Sequence, residues 1–456
     1  MNNIKQLIEN QREFYNTRVT QDINYRIKSL EKLEYVIKKY IPEIESALNY
    51  DLKKTSYESY LMEIGFVLDE LSKAQKNIYK WCKKKWVVPS KLQFPSLCYK
   101  SPNPYGNVLI MSPWNYPFML TLDPLIGAIA AGNCVIIKPS DYSTASSKLI
   151  KKIIGESFER GHVDVVLGGR EENVEILDQH FQYIFFTGST EVGKLVLEKA
   201  ARYLTPVTLE LGGKSPCIVD ETSDLKIAAK RIVFGKFANA GQTCIAPDYV
   251  LVQEKVYHAF LDNLKKYIIE DIGIDPLHTE DYGKIISTKH YSRLMSLIKD
   301  QNIFWGGGSD DLNLCIEPTI IINTKKSDKI MQEEIFGPIL PVISYGELEE
   351  AIEYINTIPN PLALYYFTKS NQRFKKVDKY CNFGGGCCND TILHMATGHL
   401  PFGGVGNSGM GSYHGKYTFD TFSHYTSILK SCTLFENPLR YRPYTKTKER
   451  VIKTIL

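Results

Sequence analysis

The sequence predicts an α/β protein built from two doubly wound domains, and three observations carry that reading. Short apolar runs rich in β-branched and aromatic residues recur from about residue 107: "NVLIM" (107–111), "CVIIK" (134–138), "VDVVL" (163–167), "YIFF" (183–186) and "VTLEL" (207–211). Helical stretches such as "STASSKLIKKIIGESFER" (143–160) and "EVGKLVLEKAARY" (191–203) lie between most of them. Strands alternating with helices imply crossover units, hence a parallel sheet covered on both faces. A second alternating series then runs through "PCIVD" (216–220), "YVLVQ" (249–253), "ILPVISY" (339–345) and "LALYYF" (362–367), which reads as a second α/β domain.

The remaining elements follow in chain order. Ile27, Leu30, Leu33, Ile37, Ile41, Ile44 and Leu48 recur at three- and four-residue spacing, so residues 23–50 are helical, with Pro42 dividing the stretch. Residues 59–84 continue in helical style and end in "KWCKKKW" (80–86), a short, isolated basic run that reads as a solvated helix end. The glycine-rich segments "FGGGCCND" (383–390) and "PFGGVGNSGMGSYHGK" (401–416) read as structured loops.

Composition narrows the function. A chain of 456 residues is too long for one typical core, and 43% hydrophobic with 23% charged residues is ordinary globular usage. The +4 net charge, from 55 basic and 51 acidic residues, is too small and scattered for a nucleic-acid partner. The ten cysteines form no C-x2-C pairs, which points to a reducing compartment and no metal. The start, "MNNIKQLIENQREF", lacks the apolar stretch of a signal peptide. The longest apolar run, "PLIGAIAAGNCVII" (124–137), is short of the roughly 20 residues that span a bilayer. A cytoplasmic location without a membrane anchor is expected.

In open α/β sheets ligands bind beyond the carboxyl ends of the strands. Asn115 follows strand 107–111 in "SPWNYPF", Lys138 and Asp141 follow strand 134–137 in "KPSD", and "TGSTEVG" (187–193) follows strand 183–186. Glu210 ends strand 207–209 in "LELGGK", and Cys244 sits in "FANAGQTCIAPDYV" (237–250), a polar turn between apolar flanks. Each has a plain structural reading: Asn115 as a helix cap, Lys138 as a solvated strand end, Cys244 as a small hydrophobe. "GSTEVG" lacks the middle glycine of the G-x-G-x-x-G dinucleotide fingerprint, and by counting alone Glu210 would be its ribose ligand.

Taken together and in order, "PWNYPF", "IIKPSD", "FFTGSTEVGK", "LELGGKSP", "GQTCIAPDYV", "EEIFGP" (333–338) and "PFGGVGNSGMGSYHGK" resemble the NAD(P)-dependent aldehyde dehydrogenase superfamily. "GQTCIAPDY" and "GNSGMGSYHGKYTFDTFSH" are similar to its class 3 branch, which handles fatty and aromatic aldehydes. The resemblance runs from about residue 12 to 435.

It implies a Rossmann-type cofactor domain (1–85 and 104–209), a catalytic domain (210–400) and a small β oligomerisation arm (86–103 and 416–440) in a homodimer. It makes Cys244 the nucleophile, the Asn115 amide and the Cys244 N–H the oxyanion donors, and Glu210 the base that hydrolyses the thioester, overriding the ribose role. Only modest activation of the thiol is expected, because cysteine is intrinsically very nucleophilic. Lys138 and Glu334 are the implied ribose contacts, with Phe336 packing nearby. Gly188, Ser189, Val192 and Gly193 are placed at the pyrophosphate, at the positive end of the following helix. Asp141 stands where relatives often carry Glu, whose charge disfavours a 2′-phosphate; NAD is the expected cofactor and NADP stays open. Phe66, Tyr116, Ile392 and His394 are the expected lining of an apolar aldehyde tunnel for medium or long aliphatic and aromatic aldehydes. Acyl transfer to coenzyme A, a cysteine hydrolase, and a catalytically idle binding protein are the alternatives.

Overall fold

The computed structural model of the protein describes residues 4–456. Three sheets organise it. A six-stranded sheet has the order Gly409–Met410, Val207–Glu210, Tyr183–Thr187, Asn107–Met111, Cys134–Lys138, Val163–Val165. Its last five strands pair in parallel and Gly409–Met410 closes one edge antiparallel. Strands Asn107–Met111, Cys134–Lys138 and Tyr183–Thr187 are buried at every position. Coverage on both faces explains why they read as continuous apolar runs instead of alternating ones.

A seven-stranded sheet runs Asn302–Trp305, Thr319–Ile322, Ile339–Tyr345, Tyr249–Gln253, Pro216–Val219, Ala363–Phe367, Gly385–Cys388. All its pairs are parallel except the first. A third, antiparallel sheet joins Lys85–Val87, Ser96–Pro104 and Ser423–Ser431.

The helical expectations hold with small shifts at the ends. Residues 23–50 form Ile23–Lys39 and Ile41–Leu52, with Pro42 in the first turn of the second, where its missing N–H costs nothing. The helix expected over 143–160 runs Thr144–Ser157, and that over 191–203 runs Thr190–Ala201. The loop expected over 383–390 is a correction, because Gly385–Cys388 forms an edge strand. Glycine is poor in strands, yet only glycine fits here: a Cβ on Gly386 would lie 2.0 Å from the Leu364 carbonyl oxygen. Residue 416 does not begin a strand either; Lys416–Thr421 is a helix, and sheet pairing starts at Ser423.

Among the described residues, no helix is long and apolar enough to cross a membrane. No cluster of three or more His, Cys, Asp or Glu side chains there could hold a metal ion. All ten cysteines are free thiols.

Candidate active site

Two cavities meet between the large sheets. The larger, of about 620 Å³, is lined by Trp114 and Asn115, by Thr187–Glu191, by Glu210–Lys214, by Cys244, and by Glu334 and Phe336. The smaller, of about 50 Å³, is lined by Met62, Phe66, Tyr116, Met119, Ile392, Met395, Phe402 and Tyr413 among others. Cys244, Glu210, Leu120, Thr187 and Leu211 belong to both walls. The sulfur and the carboxylate therefore sit where the larger cavity meets the small apolar one.

Each side chain reaches that junction by local chemistry. Glu210 ends its strand opposite Thr187 on one side and Gly409 on the other, and its C=O accepts the Gly188 N–H at 3.0 Å. Cys244 lies in a turn that precedes strand Tyr249–Gln253, half-buried. The chain approaches it through Asn239, Ala240 and Gly241, all with left-handed φ of 50 to 73°. For Asn239 and Ala240 this is strained backbone, of the kind that collects at functional sites. Gly241 is a requirement, since a Cβ there would meet the Gly337 carbonyl oxygen at 2.3 Å. Tyr365 Oη holds the turn by donating to the Ile245 C=O at 2.6 Å.

Glu210 is 2% exposed, and neither carboxylate oxygen has a hydrogen-bond partner. Burial alone pushes its carboxyl well above the ordinary range, because desolvation disfavours the charged form. Glu334 is raised to about 8, chiefly by burial and then by the Asp248 charge, against which the Gly213 N–H works. Its carboxylate fills the space beside Gly212, where a Cβ would lie 2.1 Å from Oε2.

The thiol differs from expectation. Burial first, then the Glu334 and Glu210 charges, push Cys244 up to about 12, opposed by the N–H groups of Cys244 and Ile245. These surroundings favour the thiol, and a base or a nearby positive charge favours the thiolate.

Asn115 is 2% exposed and its amide nitrogen donates to the Gln242 C=O at 3.0 Å, leaving one N–H for another acceptor. Gly188 and Ser189 line the larger cavity. Ser189 caps helix Thr190–Ala201 by accepting the Val192 N–H, so the free N–H groups of that helix open beside the cavity. Val192 and Gly193 do not line it; a Cβ on Gly193 would meet Leu211 at 2.6 Å, so this glycine lets helix and strand approach. Phe336 packs edge-on to Trp114, with centroids 5.3 Å apart.

Lys138 and Asp141 are not brought to the cavity. Lys138 is buried, and its Nζ donates to the C=O of Pro139 (2.9 Å) and of Gly168 (2.7 Å), which uses two of its three N–H donors. Asp141 is exposed, with Gly169 beside its carboxylate. Of the expected tunnel residues Phe66, Tyr116 and Ile392 line the smaller cavity, and His394 does not. The His394 ring packs on Tyr365 and Phe402, with Nδ1 3.6 Å from Cys387 Sγ. Met62, Phe402 and Tyr413 were missed as lining residues. Met62 lies four residues before Phe66, one helical turn away, and the other two stand inside the quoted glycine-rich motif.

No histidine is hydrogen-bonded to Cys244 among the described residues; His290 lines the larger cavity but packs on Trp114 and Tyr142. A dinucleotide fits the larger cavity on three counts: unpaired helix N–H groups, a carboxylate over a glycine pair, and room beside the sulfur.

Comparison with known proteins identifies the family. The sequence profile of the aldehyde dehydrogenase family matches residues 2–428. The chain is 47% identical over 455 residues to a 4,4'-diaponeurosporen-aldehyde dehydrogenase of Staphylococcus aureus, covering 99% of each chain. It is 42% identical over 442 residues to the dimeric NADP-preferring aldehyde dehydrogenase of Canis lupus familiaris, covering 97% of this chain and 98% of that one. A solved structure of the substrate-bound state of Staphylococcus aureus AldH superposes with a TM-score of 0.97 at 47% identity, covering 100% of this chain and 99% of the other.

Proposed function

The chain belongs to the aldehyde dehydrogenase family, and from that premise we propose how its own residues divide the work of oxidising an aldehyde to the acid with NAD or NADP. The observation that carries the assignment is the orphaned, buried Glu210 carboxylate at the same cavity junction as the Cys244 sulfur.

Cys244 forms the bond to substrate: its thiol gives up its proton to solvent, the thiolate adds to the aldehyde carbon, and the carbonyl oxygen becomes an alkoxide. The remaining N–H of the Asn115 amide and the backbone N–H of Cys244 receive that charge, and neither donor titrates. When bound, the oxidised dinucleotide supplies a positive ring that favours the thiolate and accepts the hydride leaving the adduct carbon. A thioester then remains on Cys244. Glu210 takes a proton from water as that water attacks the acyl carbon, and the C–S bond breaks to release the acid. Desolvation raises the carboxylate's basicity, which suits it to this task. The hydrolytic base favours water over coenzyme A as acyl acceptor, so the enzyme is non-acylating.

Glu334, at Gly212 and Gly213, is the nicotinamide-side ribose contact in this reading, with Phe336 behind it. Gly188 and Ser189 serve the pyrophosphate, with Val192 and Gly193 shaping their helix. Lys138 and Asp141 serve the adenosine side, Lys138 through the N–H that its two loop carbonyls leave over. The tunnel of Phe66, Tyr116 and Ile392 selects medium or long aliphatic and aromatic aldehydes. A panel of aldehydes of graded chain length, assayed with NAD and NADP, checks this. Catalytic efficiency should rise with chain length, and Phe66→Ala should lose about 1–3 kcal/mol of transition-state stabilisation for long substrates only. Equal losses for acetaldehyde and long aldehydes would remove the tunnel assignment.

Division into a cofactor domain (1–85, 104–209), a catalytic domain (210–400) and an arm (86–103, 416–440) accords with the three sheets. The arm sheet exposes Trp86, Leu97 and Ile428 on one face, and we assign that apolar face to a homodimer contact. Sedimentation should return twice the 52.0 kDa chain mass, and a species of single-chain mass at micromolar concentration would refute it. Ten free thiols support a reducing, cytoplasmic setting.

A further inference from the structure

Lys54 and Glu63 form an ion pair sealed from water, with Nζ 2.6 Å from Oε1 and both side chains 0% exposed. Desolvating two charges is costly, and such a pair seldom stabilises a fold more than apolar side chains of similar size would. What the pair touches is therefore informative. Lys54 Nζ also donates to the Asn115 C=O at 2.9 Å, and it lies 4.0 Å from the centroid of the Tyr116 ring. The second oxygen of Glu63 accepts the N–H groups of Phe118 (2.9 Å) and Met119 (3.2 Å). These open helix Met119–Ala131, whose N-cap Phe118 supplies no side-chain acceptor of its own. A carboxylate at that position satisfies orphan donors and suits the helix dipole.

One ion pair thus grips both ends of the segment 115–119. The same Asn115 C=O accepts Asn239 Nδ2 at 2.8 Å, and the Asn239 N–H donates to Glu58 Oε1 at 2.7 Å. The Asn115 amide itself donates to Gln242, two residues before Cys244. Neither Lys54 nor Glu63 lines either cavity, so neither can touch substrate or dinucleotide.

We propose that the buried Lys54–Glu63 pair is a positioning device for the oxyanion site: it fixes segment 115–119 so that the Asn115 amide stays in register with the Cys244 sulfur. The inference rests on the assignment of Asn115 as an oxyanion donor. Because misplacing a catalytic group by about 1 Å can cost about a hundredfold in rate, a remote pair that sets this register controls turnover.

Lys54→Met alone would strand the buried Glu63 charge and jeopardise folding. The neutral double variant Lys54→Met/Glu63→Gln removes both charges, while the glutamine oxygen still accepts from Phe118 and Met119. A thermodynamic cycle combines it with Asn115→Ala, reading kcat at saturating cofactor, dinucleotide Kd and thermal unfolding. Asn115→Ala should lower kcat by about a hundred- to a thousandfold. The charge-pair variant should lower it by about ten- to a hundredfold with Kd unchanged. Adding the pair change to Asn115→Ala should slow it no further, because the device has lost what it positions. Two results overturn the inference: rate losses that multiply in the combined variant, or a charge-pair variant of parental kcat beside an impaired Asn115→Ala, whatever its melting temperature. A parental kcat for Asn115→Ala itself would instead remove the oxyanion assignment, and the inference with it.

Discussion

Cys244→Ala lowers aldehyde-dependent reduction of the dinucleotide by roughly 10⁴-fold or more while dinucleotide affinity stays at the parental value. The expectation follows from where the sulfur sits. Cys244 is the one cysteine among the residues lining the two cavities, and removing its sulfur removes the only route to a covalent adduct. The groups proposed for the nucleotide, Glu334, Gly188 and Ser189, line the larger cavity from other segments and keep their positions. Steady-state kinetics and fluorescence titration separate the two effects. Cys387→Ala is the matched control: Cys387 has a histidine nitrogen 3.6 Å from its sulfur, yet it lines neither cavity. It should keep parental activity, since a thiol needs access to the substrate as well as a neighbouring base. Loss of activity in Cys387→Ala with retention in Cys244→Ala would move the chemistry elsewhere.

Glu210→Gln has a different signature. Glutamine keeps the shape but cannot accept a proton from water, so acylation proceeds and hydrolysis stalls. A burst of NADH of about one equivalent per site should precede turnover slowed by about 10²- to 10⁴-fold. If instead dinucleotide affinity collapses and no burst appears, Glu210 is the ribose ligand that spacing alone suggests. The parental hydrolytic rate should rise with pH through the elevated pKa of Glu210, because only the ionised form is a base. The stability sign is opposite. A carboxyl whose folded pKa is raised contributes stability that is present below its unfolded value and lost as pH rises through the folded one. Glutamine does not ionise, so the melting temperature of Glu210→Gln relative to the parent should climb with pH, at the expense of function.

The doubly wound architecture was legible because its central strands are buried on both faces and so had to be written as apolar runs. The edge strand Gly385–Cys388 was not, because close backbone approach there demands glycine, which reads as loop. Cys244, Asn115 and Glu210 were visible as an ordered set of motifs, though single residues decided nothing. Lys54 and Glu63 were illegible for the opposite reason. Two charges nine residues apart, Lys54 between helices and Glu63 within a helical stretch, carry no signal of pairing, and only the fold reveals that water never reaches them. The Cys244 proton was likewise hidden, since its elevation comes from burial and from carboxylates distant in sequence. The resemblance directed Lys138 to a ribose; here two loop carbonyls take two of its three N–H groups and it lies off the wall of the larger cavity. His394 lies near the tunnel in sequence order but packs behind Phe402.

The most direct measurement is peptide mass spectrometry of Glu210→Gln, quenched after the burst with a long-chain aldehyde and NAD. The acyl mass should be found on the peptide carrying Cys244, at close to one group per chain. An unmodified enzyme after a full burst, or an acyl group on any of the other nine cysteines, would contradict the account.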